Sequence, residues 1–148
     1  MSAHDDNHGF SGGQVSPLDG TFLELEDADP AVHMHIGAIL LFDAFPDQDG
    51  GPALERVRSL LSRRLDQLPR LRQRLSSARI GPLRWPEWVD DDHFDLSRHL
   101  RRAALPDPAG AVELDEWSGE FFSRRLDRAH PLWEAVVIER VDGGRWAL

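Results

Sequence analysis

Cysteine is absent from the 148-residue chain, which excludes disulfides, thiolate catalysis and Cys-based zinc sites. Lysine is absent as well: all 17 basic residues are Arg, set against 26 Asp and Glu, for a formal net charge of −9. That balance argues against general nucleic-acid binding, which needs a basic domain or stripe. Arg could serve as a bidentate grip on phosphate or carboxylate, but so uniform a choice is explained more simply by a codon bias that favours Arg. Long apolar runs are missing too. The longest, Ile36 to Phe42, falls far short of the roughly 18 residues of a membrane span. Met1 to Phe10 has neither a basic n-region nor an apolar h-region, so secretion by a signal peptide is not expected and a cytoplasmic location is the default. Gly-rich phosphate loops, Gly-x-Ser-x-Gly elbows, His-Glu-x-x-His and zinc spacings do not occur, and no repeat of about 20 to 50 residues appears.

What is present reads as an ordinary globular sequence. With 41% hydrophobic and 29% charged residues, the chain is long enough for one core, either as one domain or as half of a larger one. Residues 1–14 are polar and aperiodic and read as a disordered leader, with the fold running from 15 to 148. Ser16 can cap a short helix, with Pro17 at its first position and Asp19 at its third, where a carboxylate suits the positive helix end. That helix is expected to run to about Glu26 and to pack Leu18, Phe22 and Leu25 on one face. Neither Ser16 nor Asp19 has a neighbouring base or metal ligand in sequence, so a structural role suffices for both.

His33 to Asp43 reads as a strand that is apolar on both faces from Ala38 onward, and so as one inside a covered sheet. His33 and His35 would project together, but no third metal ligand is placed beside them. Gly37 marks a bulge or the close approach of another group. Leu54, Val57, Leu61, Leu65 and Leu68 predict an amphipathic helix over about Ala53 to Gln67. It carries part of an Arg cluster that continues to Arg74 and that either attracts phosphates or an anionic membrane surface or is simply a solvated face. Two short strands are expected over Pro69 to Leu75 and Leu83 to Val89, and a further one near Leu96 to Ala104. Leu114, Trp117, Phe121 and Phe122 predict a second amphipathic helix ending near Asp127.

Pro131 to Leu148 closes the chain. Trp133 to Val141 is β-branched and aromatic, Asp142-Gly143-Gly144 supplies a tight turn, and Arg145 to Leu148 begins the returning strand. Four residues make a short strand, so the last one reads as cut off, leaving an unpaired edge at Arg145 to Leu148. The alternation of elements gives an α/β layered class.

Three runs carry a family resemblance: Ser16-Pro17-Leu18-Asp19-Gly20-Thr21-Phe22-Leu23, Arg128-Ala129-His130-Pro131-Leu132-Trp133-Glu134 and the hairpin that follows. Together, in this order, they resemble the N-terminal part of the bacterial wax ester synthase/diacylglycerol acyltransferase family. The resemblance implies a chloramphenicol-acetyltransferase-like fold, a mixed sheet with flanking helices, here truncated in its last strand. It implies transfer of a fatty acyl group from acyl-CoA to diacylglycerol or a long-chain alcohol, with acyl-CoA as substrate and no cofactor. A peripheral place at a membrane or lipid droplet, and no nucleic-acid partner, would go with it.

In that family the general base comes from a His-His-x-x-x-Asp-Gly motif, which this sequence lacks; it is expected just beyond Leu148, and no catalytic residue is assigned here. Ser16, Pro17, Leu18, Asp19, Pro131, Leu132 and Trp133 are read as family-motif residues with structural roles, and His35 and Gly37 as wall of an acyl channel. His130 has no orienting partner in sequence and is read as structural. Two alternatives stay open: a non-catalytic remnant or partner module of the same fold, and a condensation or polyketide-linked acyltransferase that uses carrier-protein thioesters.

Overall fold

The computed structural model describes residues 13–44, 52–80 and 83–148. Residues 1–12 of the expected leader, residues 45–51 and residues 81–82 lie outside the described residues. Helix α1 (Pro17–Ala28) is followed by strand β1 (Leu41–Phe42) and helix α2 (Ala53–Arg64). Strands β2 (Gln73–Ile80) and β3 (Leu83–Asp90), the short helix α3 (Leu96–His99), strand β4 (Leu100–Ala103) and helix α4 (Ala111–Phe122) come next. Strands β5 (Ala135–Val141) and β6 (Arg145–Ala147) complete the order.

The main sheet has the order β1-β6-β5-β4. β4 runs parallel to β5, whereas β6 is antiparallel to both β5 and β1. A helix covers each face at the centre of this mixed sheet. Val136 and Ile138 of β5 turn toward Leu114, Trp117 and Phe121 of α4, while Val137, fully buried, turns toward Ala53, Leu54, Val57 and Leu61 of α2. Strict alternation would put Val141 on the α2 side. Instead Arg140 takes a φ of 67° at a β-bulge, one residue is left out of the ladder, and Val141 joins the α4 side, because an extra residue reverses the side-chain parity beyond it. The turn behind it keeps positive φ at Asp142, Gly143 and Gly144.

β2 and β3 form a separate antiparallel hairpin. It is joined through β3 to the residues that lead into α1. Gly13 O accepts from Trp88 N–H at 3.0 Å, Val15 N–H donates to Pro86 O at 3.1 Å, and the indole of Trp85 donates to Val15 O at 2.9 Å. Gly20, the one buried residue of α1, lies under the Trp85 ring; a Cβ there would come within 2.9 Å of it. Glycine is what lets the helix sit this close.

Several expectations need correction. α1 is capped as expected, with Ser16 Oγ accepting from Asp19 N–H at 3.2 Å, but its inward face is Gly20, Phe22, Leu23 and Glu26, while Leu18 and Leu25 are 63% and 47% exposed. The long strand over His33 to Asp43 reduces to β1, because its partner β6 has only three residues; Leu40 adds a reciprocal pair of backbone bonds with Leu148 at 2.8 and 2.9 Å. Nor is it interior: Ile36 is 99% and Leu40 51% exposed. Arg145 to Leu148, expected as a free edge, lies between two strands, and the sheet edges are β1 and β4. Pro69–Arg72 is a 3₁₀ turn rather than strand, and Leu96–His99 is a helical turn that precedes β4. α4 stops at Phe122, short of Asp127, and β5 begins at Ala135, so Trp133 precedes the strand instead of opening it.

Candidate functional site

A cavity of about 740 Å³ opens between α1, α4 and the extended segment Met34 to Leu40. The walls follow from local structure. α4 repeats its aromatics on one face, so Trp117 and Phe121 stack at 5.1 Å and Phe122 meets Phe121 edge-on at 5.5 Å. Trp117 and Phe121, four residues apart, share one helix face, and Phe122 borders it through its edge-on contact with Phe121. Opposite that face, every residue from Met34 to Leu40 lines the cavity, and Leu40 ties the segment to the main sheet through its pair of backbone bonds with Leu148.

His35 joins the two walls. Its Nε2 donates to Phe122 O at 3.1 Å, leaving Nδ1 buried without a hydrogen-bond partner among the described residues. The His33 ring lies 6.0 Å away, and among the described residues no group of three or more metal-ligating side chains gathers. Two residues on, Gly37 faces the Phe122 ring so closely that a Cβ would fall within 2.6 Å of Cδ1 and Cζ.

Charged groups hold the segment from the α1 side. Arg128 pairs with Glu26 at 2.9 Å and Asp27 at 2.8 Å, and also donates to Leu23 O at 3.1 Å. Glu26 in turn accepts from Met34 N–H at 2.7 Å. Burial would raise the Glu26 carboxyl, but the Met34 amide and Arg128 outweigh it and hold the group below the ordinary 4.5. Arg125 donates to the carbonyls of Glu26, Asp29 and Val32, so one guanidinium closes the turn between α1 and the segment. At the rim, Arg101 pairs with Glu134. Arg124 lies over the Phe121 ring at 5.5 Å with no carboxylate partner among the described residues.

Of the residues singled out by sequence, His35, Gly37, Asp19, Leu132 and Trp133 line this cavity, whereas Ser16, Pro17, Leu18 and Pro131 do not. Ser16 and Pro17 are exposed with Leu18, and Pro131 is buried behind the wall. Trp133 is held at three points: its indole donates to Leu71 O at 2.8 Å, its carbonyl accepts from His99 Nδ1 at 2.8 Å, and its ring stacks on His99 at 4.8 Å. His130 accepts from Arg98 at 3.2 Å and lies 3.9 Å from both Asp91 and Asp127, outside the cavity lining. Sequence reading gave Glu26 and Arg125 no place in a site and named Arg128 only as the start of a family run, because their partners lie up to 105 residues away. It also found Phe122 only as a packing residue of an amphipathic helix.

The geometry makes an apolar slot with cations at its rim, and likeness to known proteins points the same way. The family model of the wax ester synthase/diacylglycerol acyltransferase catalytic domain matches residues 15–148. A probable diacylglycerol O-acyltransferase of Mycobacterium tuberculosis H37Rv is 42% identical over 137 residues, covering 90% of this chain and 28% of that protein. A second from the same strain is 34% identical over 135 residues, covering 91% of this chain and 48% of that one. This chain thus spans less than half the length of either relative. The solved wax ester synthase/diacylglycerol acyltransferase from Marinobacter aquaeolei VT8 superposes with a TM-score of 0.69 at 34% identity, covering 90% of this chain and 32% of that one. The α/β arrangement, with its mixed sheet and flanking helices, is that of the chloramphenicol-acetyltransferase-like class. On the match over residues 15–148, the chain belongs to the wax ester synthase/diacylglycerol acyltransferase family.

Proposed function

We propose that the chain supplies the N-terminal wall of the acyl site of an O-acyltransferase that moves a fatty acyl group from acyl-CoA to diacylglycerol or a long-chain alcohol. The observation that carries this is the cavity: about 740 Å³ is within the usual range of small-molecule sites, which are mostly apolar with a few polar groups that orient the ligand. The aromatic wall of Trp117, Phe121 and Phe122 would shield the methylenes from water, at roughly 0.8 kcal/mol per buried CH₂. Arg124 at the rim is placed to meet a CoA phosphate by charge.

The chemistry in the intact parent is transfer to oxygen. A His of the expected His-His-x-x-x-Asp-Gly run takes the hydroxyl proton as that oxygen attacks the thioester carbonyl. The C–S bond then breaks and CoA leaves as the thiolate, which takes up a proton. Such general base catalysis contributes roughly a hundred- to ten-thousand-fold in rate. The present sequence contains no His-His pair, so none of its residues is given that role, and His35 and Gly37 act as wall. Acyl-CoA is a substrate, and the reaction needs no cofactor.

A peripheral place at a membrane or lipid droplet belongs to the same proposal. No helix among the described residues is long and apolar enough to cross a membrane, whereas the exposed Ile36, Leu40 and Leu41 beside the cavity mouth suit contact with a lipid surface.

The test has two arms. Titration of the 148-residue chain with palmitoyl-CoA below its micellar concentration should give saturable binding that free CoA alone does not match. The same chain should release no CoA from palmitoyl-CoA with hexadecanol or diacylglycerol present. Absence of binding rejects the acyl-wall reading, and turnover at ordinary enzyme rates rejects the assignment of the base to residues outside this sequence.

A further inference from the structure

We propose that Gly37 and Phe122 together set the acyl-chain length that the cavity accepts, with the Phe122 ring as a wall whose position depends on the missing side chain at residue 37. This rests on the acyl-chain reading of the cavity and adds to it the residues that measure the chain.

The argument is geometric. A Cβ at residue 37 would lie within 2.6 Å of Phe122 Cδ1 and Cζ, much closer than packed carbons tolerate, since carbon atoms are in optimal contact only at about 3.5–4.0 Å. Something must yield. The two backbones are not free to separate, because His35 Nε2 donates to Phe122 O at 3.1 Å two residues from Gly37. On the same side of Gly37, Arg125 and Glu26 hold Val32 and Met34, and on its other side Leu40 exchanges backbone bonds with Leu148. The ring is therefore the part that moves. Phe121 bounds it edge-on at 5.5 Å and is itself backed by Trp117, so displacement carries Phe122 into the cavity that both residues line. The ring would then take the place of the end of a long acyl chain while leaving a short chain untouched. An aromatic that only filled core space would shift stability and leave chain-length preference alone.

The experiment is a binding ladder on the whole 148-residue chain, using octanoyl-, dodecanoyl- and palmitoyl-CoA by calorimetry at sub-micellar concentration. Affinity of the unaltered chain should climb along the ladder. In Gly37→Ala, loss of room for about two methylenes, each worth about fourfold in affinity, should weaken palmitoyl-CoA roughly tenfold or more and octanoyl-CoA less than about twofold. Gly37→Ala combined with Phe122→Ala should restore the palmitoyl affinity. Phe122→Ala alone should extend the ladder, so that stearoyl-CoA gains over palmitoyl-CoA by more than in the unaltered chain; this variant decides the matter if Gly37→Ala does not fold. A ladder that climbs in the unaltered chain and keeps the same slope in these variants overturns the inference while leaving the acyl reading standing. No binding of any acyl-CoA by the unaltered chain overturns the acyl reading, and the inference with it.

Discussion

Two apolar stretches, Ile36 to Phe42 without a charged residue and Ala135 to Val141 with Glu139 and Arg140 inside it, meet opposite fates. In β5, Val136, Val137 and Ile138 are 8%, 0% and 2% exposed, whereas Ile36, Ile39 and Leu40 are 99%, 42% and 51% exposed. The difference lies in neighbours. β5 has a strand on each side and a helix on each face. The earlier stretch pairs only with the short β6, and one of its sides borders a cavity. Apolar composition supplies the drive for burial, but burial needs surfaces to bury against. The two stretches are accordingly held by different forces: β5 by packing, the segment before β1 by polar ties from Glu26, Arg125 and His35.

The largest expected effect comes from undoing the approach to β5. Trp133→Ala removes the bond to Leu71 and the stack on His99, and loss of a packed Trp costs about 3 kcal/mol or more. For a chain of this size that lowers the thermal midpoint by roughly 6–12 °C. Palmitoyl-CoA affinity of the remaining folded protein should stay within about threefold; an unchanged midpoint with a large loss of affinity would mean that Trp133 acts on ligand rather than as an anchor.

Next comes the direct contrast. Val137→Ala should cost about 2 kcal/mol through lost burial and the cavity left behind, whereas Ile36→Ala, with nearly the whole side chain already in water, should stay within about 0.5 kcal/mol. Urea denaturation measures both. Equal costs would show that Ile36 is covered in solution.

The smallest effect concerns acid. Glu26 titrates below its unfolded value because the Met34 amide and Arg128 outweigh the cost of its burial. The stabilisation is therefore present above about 4.5 and is lost as pH falls through the lower folded value. The Met34 amide should lose protection relative to its intrinsic exchange rate in that window while β5 amides keep theirs. In Glu26→Gln, Met34 should already exchange faster at neutral pH and show little further change; if Met34 in the unaltered chain keeps its protection through the acid range, the polar ties are not what holds the segment.

Legibility followed the range of the interactions. The Ser16 cap, α2, the α4 stripe and the Asp142-Gly143-Gly144 turn were all readable, because each depends on residues a few positions apart. The family was readable from runs at both ends. Leu96–Ala103 shows the other case: its apolar spacing suits a strand, yet the Asp95 side chain accepts from Ser97 N–H at 2.9 Å and starts a helical turn that uses half of it. Competition between a local side-chain bond and strand pairing is not visible in apolar spacing alone.

The sequence by itself determined the α/β class, the three long helices, the closing hairpin and the exclusion of thiol chemistry, because propensity, capping and composition act through near neighbours. Only the tertiary structure decided which apolar run is buried, which side of the sheet Val141 takes after the Arg140 bulge, and that His35, Gly37 and Phe122 share one cavity. Each of these depends on groups far apart in the chain brought within a few ångströms, and a pattern read along the chain carries no information about such distances.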